Sequence, residues 1–570
     1  MKQFKFHFLF LFLIFSTTVI AQINVTGTVV DEKGEPLIGV RVLVKGTAQG
    51  TVTDFNGKFG VNVAKPSDVL VFSSVGYTSQ EVRIVKGKTM SITLIEDSKL
   101  LNEVVVVGYQ DIKRKDLTGS VAKANVQDML KAPVPSFDQA LAGRVAGVNV
   151  SSSEGTPGSN MNIVIRGKNS VTQDNSPLYV IDGFPVEDPK AGSSINPNDI
   201  ESIDILKDAS ATAIYGARGA NGVVIITTKK GKSGQLSINY DGSFGVQRIT
   251  RTIPLMNAFE FVRLQSEVWN ATEMSNSGYF KTVDGKTYSL ADYANVPQYD
   301  WQDMIFHDAK QQNHSLTLTG GSAENRYNAS FSYYDQDGIV IASNYNRLQG
   351  KLGTDIRRNK LRINLNVNYS NSIQSGNSPS QSSSSGMNNL FYSVWGYRPV
   401  TQAGIPLNTL LNNGIDSNVD TSIDYRFNPY LSLNNEYRKN NIAYIQFNGF
   451  AEYEFIKGLK LKVSGGYTTD MRKLEVFNNS NTRYGSQLSI DKVNATMGTS
   501  QSNTWLNENI LTYQRLFNKK HSVNLLAGFT LQENNFKYYL MKTTNIPNEW
   551  LGMAGMYQGT PNTNDSGESE

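Results

Sequence analysis

Leu361-Arg362-Ile363-Asn364-Leu365-Asn366-Val367-Asn368-Tyr369-Ser370 alternates without interruption between apolar and polar side chains. In a strand, successive side chains point to opposite faces, so one face is wholly apolar and the other carries Arg, Asn and Ser. Such a pair of faces suits a wall between lipid and a watery lumen. A soluble sandwich also alternates, so the pattern alone is ambiguous. Leu236, Ile238, Tyr240, Gly242 and Phe244 repeat it against Ser237, Asn239, Asp241 and Ser243. Many runs reach ~10 residues, the length of a tilted transmembrane strand, rather than the ~5–6 of soluble sheets. Connections also alternate: 322–325, 357–360, 456–458 and 517–520 are short, 336–344 is intermediate, and 247–313, 372–440 and 471–500 are long. Short turns on one side and longer loops on the other are the rhythm of membrane barrels. Tyr333, Tyr334, Tyr453 and Phe455 lie near strand ends, where aromatic girdles form. The expected fold is mainly β and includes an incomplete antiparallel transmembrane barrel, an open curved sheet of about nine strands, over 233–570.

Composition narrows the chemistry. At 570 residues the chain is long enough for roughly three or four domains. Charged residues make up 18%, below the ~25% of soluble globular chains, and the net charge of +4 gives no basic face for nucleic acid. There is no cysteine, which excludes disulfides, zinc-thiolate sites, thiol catalysis and a lipid-anchored N-terminal cysteine. The four histidines stand at 7, 307, 314 and 521, without metal-ligand spacing. Neither G-x-S-x-G nor H-E-x-x-H occurs. No catalytic residue, metal site or cofactor is expected.

Lys2 and Lys5 precede an apolar run over 6–15, and small or polar residues follow to Ala21. This is the pattern of a secretory signal over 1–21 cleaved between Ala21 and Gln22; the run is too short for a membrane span. From 22 to 97, seven short alternating segments (23–30, 40–45, 50–54, 60–63, 69–75, 81–85 and 90–95) are separated by turn residues, which predicts a small β-sandwich. Asp54-Phe55-Asn56-Gly57 has its glycine in the wrong place for a calcium loop and reads as a hairpin turn.

Over 98–115, Glu103 leads into Val104-Val105-Val106-Val107-Gly108-Tyr109, followed by a charged, linker-like run at 112–116. Four valines make a strand of high β-propensity with no evident local partner. It is either the sandwich's last strand or an edge kept for strand addition by another protein. From 116 to 232 the sequence reads as a compact α/β domain. It has a helical turn at 137–142, a helix at 209–215, and strands at 148–151, 161–166, 178–181, 200–206 and 222–228. Gly216, Gly219 and Gly222 follow a helix and open a strand, the reverse of a dinucleotide site.

Four strings in this region are the most specific. FDQALAGRVAGVNV (137–150), IVIRG (163–167), SPLYVIDGFPV (176–186) and INPNDIESIDILKDASATAIYGARGANGVVIITTKKG (195–231) together resemble the plug domain of SusC/RagA-like TonB-dependent transporters. LNEVVVVGYQDIKRKDLTGSVAKAN (101–125) is similar to that family's TonB box. GTVVDEKGEPLIGVRVLVKGTAQGTVTDFNGKFGV (27–61) resembles the carboxypeptidase-regulatory-like domain, a non-catalytic sandwich. The resemblance implies that Glu103 to Tyr109 bind the TonB complex of the inner membrane. The plug residues Arg166, Gly167, Asp182, Gly183, Gly216, Arg218, Gly219, Asn221 and Gly222 read as structural, since turn geometry alone explains the glycines.

The resemblance further implies an outer-membrane protein of a Gram-negative bacterium. It would import a polysaccharide, oligosaccharide or peptide, with outer-membrane lipid around it and a SusD-like lipoprotein as lid. Plugged transporters use ~22 strands, against about nine here, so the sequence is expected to be the N-terminal portion of a longer receptor. Two other classes are weighed. A signalling receptor of this family usually carries a further domain before the box. A secreted carbohydrate-binding or adhesive β-protein accounts for the sandwich but not for the box and plug.

Overall fold

The computed structural model describes residues 23–569 apart from 32–33, 48, 64, 66–67, 75–76, 78, 85–88, 96–103, 108–109, 114–120, 132–133, 153–154, 160, 187–194, 209–211, 271, 273–276, 377–389, 416–426, 518–520 and 564–566. The expected cleavage site at Ala21 and Gln22, and Glu103, Gly108 and Tyr109, lie outside the described residues. The chain divides into two compact units, residues 1–118 and 119–570.

The first unit holds seven strands where alternation predicts them: β1 (Ile23–Val30), β2 (Arg41–Val44), β3 (Gly50–Val52), β4 (Lys58–Val63), β5 (Val69–Ser73), β6 (Gln80–Arg83) and β7 (Met90–Thr93). They form two sheets, ordered β4-β1-β7 and β3-β2-β5-β6. The inward positions (Val25, Val29, Val42, Phe59, Val61, Leu70, Phe72) are buried together. Phe59 of one sheet meets Phe72 of the other edge-on, ring centroids 5.2 Å apart. Asp54 closes a tight turn, its Oδ1 accepting from the amides of Asn56 and Lys58 at 2.9 and 2.8 Å. That turn is not a hairpin: it joins β3 to β4, which belong to different sheets.

A second correction concerns the valine run. Val104–Val107 (β8) has a local partner, Gln110–Lys113 (β9), paired antiparallel from Val104↔Lys113 to Val107↔Gln110. Two residues connect them, enough for a hairpin, so charged residues that look like linker are strand.

The second unit begins with a five-stranded sheet ordered β10-β15-β16-β13-β14 and a separate pair β11-β12. These are β10 (Val121–Ala124), β11 (Val148–Ser152), β12 (Met161–Ile165), β13 (Leu178–Ile181), β14 (Phe184–Val186), β15 (Ile200–Leu206) and β16 (Val223–Thr228). Strands β13 and β16 run parallel and read as nearly unbroken apolar runs, as strands covered on both faces do. The helix Phe137–Leu141 is capped by Ser136, whose side chain accepts from the Gln139 amide, and Phe137, Ala140 and Leu141 bury against the sheet. Of the helix expected at 209–215, residues 209–211 lie outside the described residues and Thr212 is helical, its amide donating to the Asp208 carbonyl at 3.0 Å; the remainder belongs to a 3-10 segment, Ala213–Gly219, broken where Gly216 takes φ 60°.

The wall follows as an eleven-stranded antiparallel sheet. Its first strand is β17 (Gly234–Gln247), and a small hairpin of β18 (Thr282–Val283) and β19 (Lys286–Thr287) sits in the first long loop. Eight more long strands follow: β20 (Ala309–Gly321), β21 (Asn325–Asp337), β22 (Asn344–Arg358), β23 (Leu361–Ser375), β24 (Glu436–Ile456), β25 (Leu459–Asn478), β26 (Asn494–Phe517) and β27 (His521–Thr544). The short β28 (Thr560–Pro561) and β29 (Gly567–Ser569) both pair with β27. Each long strand pairs with the next, and among the described residues β17 pairs on one side only, with β20. The sheet is open, with nine long strands, as expected. Its strands are longer than expected, up to 24 residues. The loops at 376–435 and 479–493 are correspondingly shorter than the alternation indicates.

The wall's faces invert the soluble rule. Leu365 is 53% exposed, whereas Asn364 and Asn366 are 5% and 9% exposed. Phe331, Leu352 and Phe447 likewise point outward, while Ser330, Gln349, Lys351 and Gln446 are buried. The outer face is the apolar one, as a lipid solvent requires. Consecutive aromatics therefore separate. Tyr333 faces out, but Tyr334 does not join a girdle; it is buried inside, beneath the Arg347 guanidinium, with its hydroxyl on Gln336.

Candidate functional site

The inner face of β20 to β26 is buried because the α/β domain lies against it. Asn196 Nδ2 donates to Ser315 Oγ at 3.0 Å, and Ser330 Oγ donates to Asp199 Oδ2 at 2.7 Å. Lys351 Nζ donates to the Lys229 carbonyl at 3.1 Å, Arg347 Nη2 to the Pro135 carbonyl at 2.6 Å, and Gln374 Nε2 to the Pro157 carbonyl at 2.9 Å. A crevice at this seam, reached by Asn196, Asp199, Gln349 and Lys351, measures ≈ 10 Å³, room for no more than one water. The two parts are in tight contact through polar groups. Burial pushes the Asp199 carboxyl above its ordinary range, against the pull of Lys351 and the Ser330 hydrogen bond.

Local sequence explains why these side chains arrive here. Asn196 caps the 3-10 turn Pro197–Asp199 by accepting from the Asn198 amide, which fixes the approach to β15. At several points hydrogen alone fits: a Cβ on Gly466 of β25 would run into the Phe184 ring of β14, and one on Gly158 into the Tyr345 ring of β22.

The residues singled out from sequence do not converge on one pocket. Arg166 has φ 57° and ion-pairs with Asp208. Gly167, Gly183, Gly216 and Gly222 all take positive φ. Asp182, at φ 50°, turns β13 into β14 and accepts from Thr228 through both its amide and its hydroxyl, at 2.9 and 2.7 Å. Asn221 clamps a neighbouring loop, donating to the carbonyls of Asp174 and Ser176 and accepting from Asn169. Gly219 packs where a Cβ would sit 2.9 Å from the Thr212 carbonyl. Arg218 reaches the wall, Nη1 donating to Gln532 Oε1 at 2.6 Å. Sequence reasoning missed Asn196, Asp199, Ser330, Lys351 and Arg347. For Ser330, Lys351 and Arg347 the only signal was polar residues on the wall's inner parity; Asn196 and Asp199 showed only the polar turn before β15.

Among the described residues, no group of three or more acidic or histidine side chains is placed to hold a metal ion, and no helix is long and apolar enough to cross a membrane. In the long connection between β23 and β24, Leu390–Gly396 is a helix whose Val394 is buried in a core cluster with Tyr397. Trp395 is exposed and stacked on Phe391 at 5.2 Å.

Residues 113–223 match the TonB-dependent Receptor Plug Domain and 25–106 the CarboxypepD_reg-like domain. The chain is 38% identical over 359 residues to the TonB-dependent receptor SusC of Bacteroides thetaiotaomicron, covering 61% of this chain and 34% of that one. The chain belongs to the SusC/RagA-like TonB-dependent receptors. A TonB-dependent receptor of Formosa agariphila is 33% identical over 532 residues, 92% of this chain and 49% of that one. The RagAB peptide importer in its open-open state matches with TM-score 0.64 and 25% identity, over 82% of this chain and 53% of that one. This SusC/RagA-like receptor chain thus spans about half the length, or less, of the relatives it matches. It is an outer-membrane protein of a Gram-negative bacterium. The domain against the wall is the plug.

Proposed function

We propose that the protein imports a large nutrient, a glycan or a peptide, across the outer membrane as a SusC-like channel gated by its plug. The carrying observation is a folded plug held to the polar inner face of a lipid-facing wall by hydrogen bonds rather than by an apolar core. Each such bond is worth only ~0.5–1.5 kcal/mol net, because water replaces it when it opens. An interface of this kind releases stepwise under a pull, whereas an apolar one would not.

The pull is assigned to Glu103 to Tyr109 as the TonB box. Among the described residues, β8 pairs only with β9, which leaves one strand edge for addition by the inner-membrane TonB complex. A SusD-like lipoprotein is assigned as the lid on the outer face, and no enzymatic step is assigned to the chain. The corresponding division is signal 1–21, regulatory-like sandwich 22–97, box and linker 98–115, plug 116–232 and barrel wall 233–570. That the RagAB neighbour is a peptide importer supports a transporter over a signalling receptor or a secreted adhesive protein. Deleting 104–109 from the full-length protein tests the reading. Uptake is expected to vanish while outer-membrane insertion persists; unchanged uptake would remove the mechanism.

A further inference from the structure

The wall carries a groove of ≈ 480 Å³ that import leaves without a role, lined by Asn441, Met471, Lys473, Gln501, Lys537 and Tyr539 among others. It lies on the outward face. Met471 pairs with Gln501 and Gln501 with Lys537, in the same alternation as Tyr467 and Trp505, whose rings are exposed. The opposite alternation holds Gly466, against the plug's Phe184, and Gln532, bonded to the plug's Arg218.

Its height follows from the strand. Going up from the short turn at 457–458, the outward positions of β25 are Leu459, Leu461, Val463, Gly465 and Tyr467, then Thr469, Met471 and Lys473. On β27, Leu525, Phe529 and Leu531 give way to Glu533, Asn535, Lys537 and Tyr539. Tyr467 and Trp505 sit at the upper margin of the apolar band, and their polar atoms are bonded. Tyr467 Oη donates to Asn503 Oδ1 at 3.0 Å and Trp505 Nε1 to Glu533 Oε2 at 2.9 Å. Amphipathic aromatics of this kind mark the interface. Met471 is four residues beyond Tyr467, about 13 Å along the strand and roughly 10 Å higher at a ~40° tilt. That is headgroup depth.

The geometry points to a binding site for the phosphorylated sugar headgroup of an outer-leaflet glycolipid. Lys473 and Lys537 supply two ammonium groups on opposite sides of the groove; Lys473 Nζ is held by Glu475 Oε1 at 2.8 Å, which fixes its position without covering it. An ammonium binds phosphate as a point charge. Thr499 and Gln501 lie between the lysines, with Asn441 and Tyr539 beside them, and their amide and hydroxyl groups match sugar hydroxyls. Met471 gives the groove an apolar patch, above the band where acyl chains lie. A groove for a soluble nutrient would face the lumen, and this one faces the membrane.

The site rests on the outer-membrane placement, and its test separates the two. The full-length protein and its K473Q/K537Q variant are extracted from outer membranes in mild detergent. Retained phosphorylated glycolipid is counted by native mass spectrometry, and rebinding is measured in nanodiscs holding a bis-phosphorylated diglucosamine lipid or its dephosphorylated form. Expected is retention by the unmodified protein, a roughly twenty-five-fold loss in the double variant at about fivefold per lysine, and equally poor rebinding of dephosphorylated lipid. Inorganic phosphate should not displace the lipid. Equal retention by the variant, or displacement by inorganic phosphate, overturns the site. Absence of both proteins from the outer-membrane fraction would instead overturn the placement beneath it.

Discussion

Ser330, on the wall, donates a 2.7 Å hydrogen bond to Asp199, on the plug, and both residues are buried. The contact spans 131 positions of sequence and joins a carboxylate raised by burial to a hydroxyl on the face opposite Phe331. It is the buried polar seam in miniature.

Removing the donor leaves that carboxylate short of a partner. Ser330→Ala should loosen plug seating by about 1–3 kcal/mol, the cost of an unsatisfied buried acceptor. Asp199→Asn keeps an acceptor for Ser330 and sheds the charge, so it should be milder. Tryptic cleavage after Lys229 and Lys230, at the same seam, is the readout. Faster cleavage in D199N than in S330A would contradict this ordering.

Asp138 supplies a pH dependence. Its Oδ1 has no hydrogen-bond partner among the described residues, and burial pushes the carboxyl up to about 8 from an ordinary 3.8. Between those values the folded plug holds a proton that the unfolded chain has released. Stability therefore falls as pH rises from about 4 to about 8, and is level outside that window. Asp138→Asn should flatten the slope and raise stability at pH 8 by on the order of a few kcal/mol. Thermal unfolding at pH 5 and pH 8 decides it; an unchanged slope in the variant would show that Asp138 is not the source.

The sandwich and wall strands were legible because a two-residue period is a local property, readable at Leu361–Ser370 or Ile23–Val30 without knowing any partner. Legibility stops where the period does. Beyond Met471 and Gln501 the strands rise out of lipid, polar groups occupy both faces, and 471–478 looks like loop. The charged run at 112–116 looks like linker, yet its first two residues end a strand, Gln110–Lys113, that only pairing with Val104–Val107 reveals. Asp199 and Ser330 could not be matched, since nothing local to either residue encodes the other. Tyr334 was misplaced because position near a strand end says nothing about face; its neighbour Tyr333 shows that parity does.

Gly466 and Gly465 form a matched pair. A Cβ at Gly466 meets the Phe184 ring of the plug, whereas one at Gly465 meets nothing within 4 Å. Gly466→Ala should cost about 1–3 kcal/mol of plug seating as overpacking, and Gly465→Ala close to none. Thermal unfolding of the two variants would reverse the assignment of inner and outer faces if their order were opposite.

Leu365 tests the solvent outside the wall. In water, an exposed leucine tolerates arginine; near a bilayer midplane the same change costs about 2–4 kcal/mol. Leu365→Arg should therefore sharply lower the yield of folded protein in the outer membrane, and Asn366→Ser, facing inward, should not. Equal yields would mean that the apolar face does not meet lipid.

The energy-coupling claim is tested most directly by chemistry that the chain's lack of cysteine makes clean. Val105→Cys introduces the only thiol among these 570 residues, on β8, and the periplasmic domain of TonB is given single cysteines along its terminal strand. Strand pairing predicts a disulfide-linked adduct in living cells, strongest at one register and weaker on either side, and absent when cysteine is placed at the outward Leu365 instead. If Val105→Cys gives no adduct at any register while the protein is present in the outer membrane, Val104–Val107 is not the strand that TonB takes hold of.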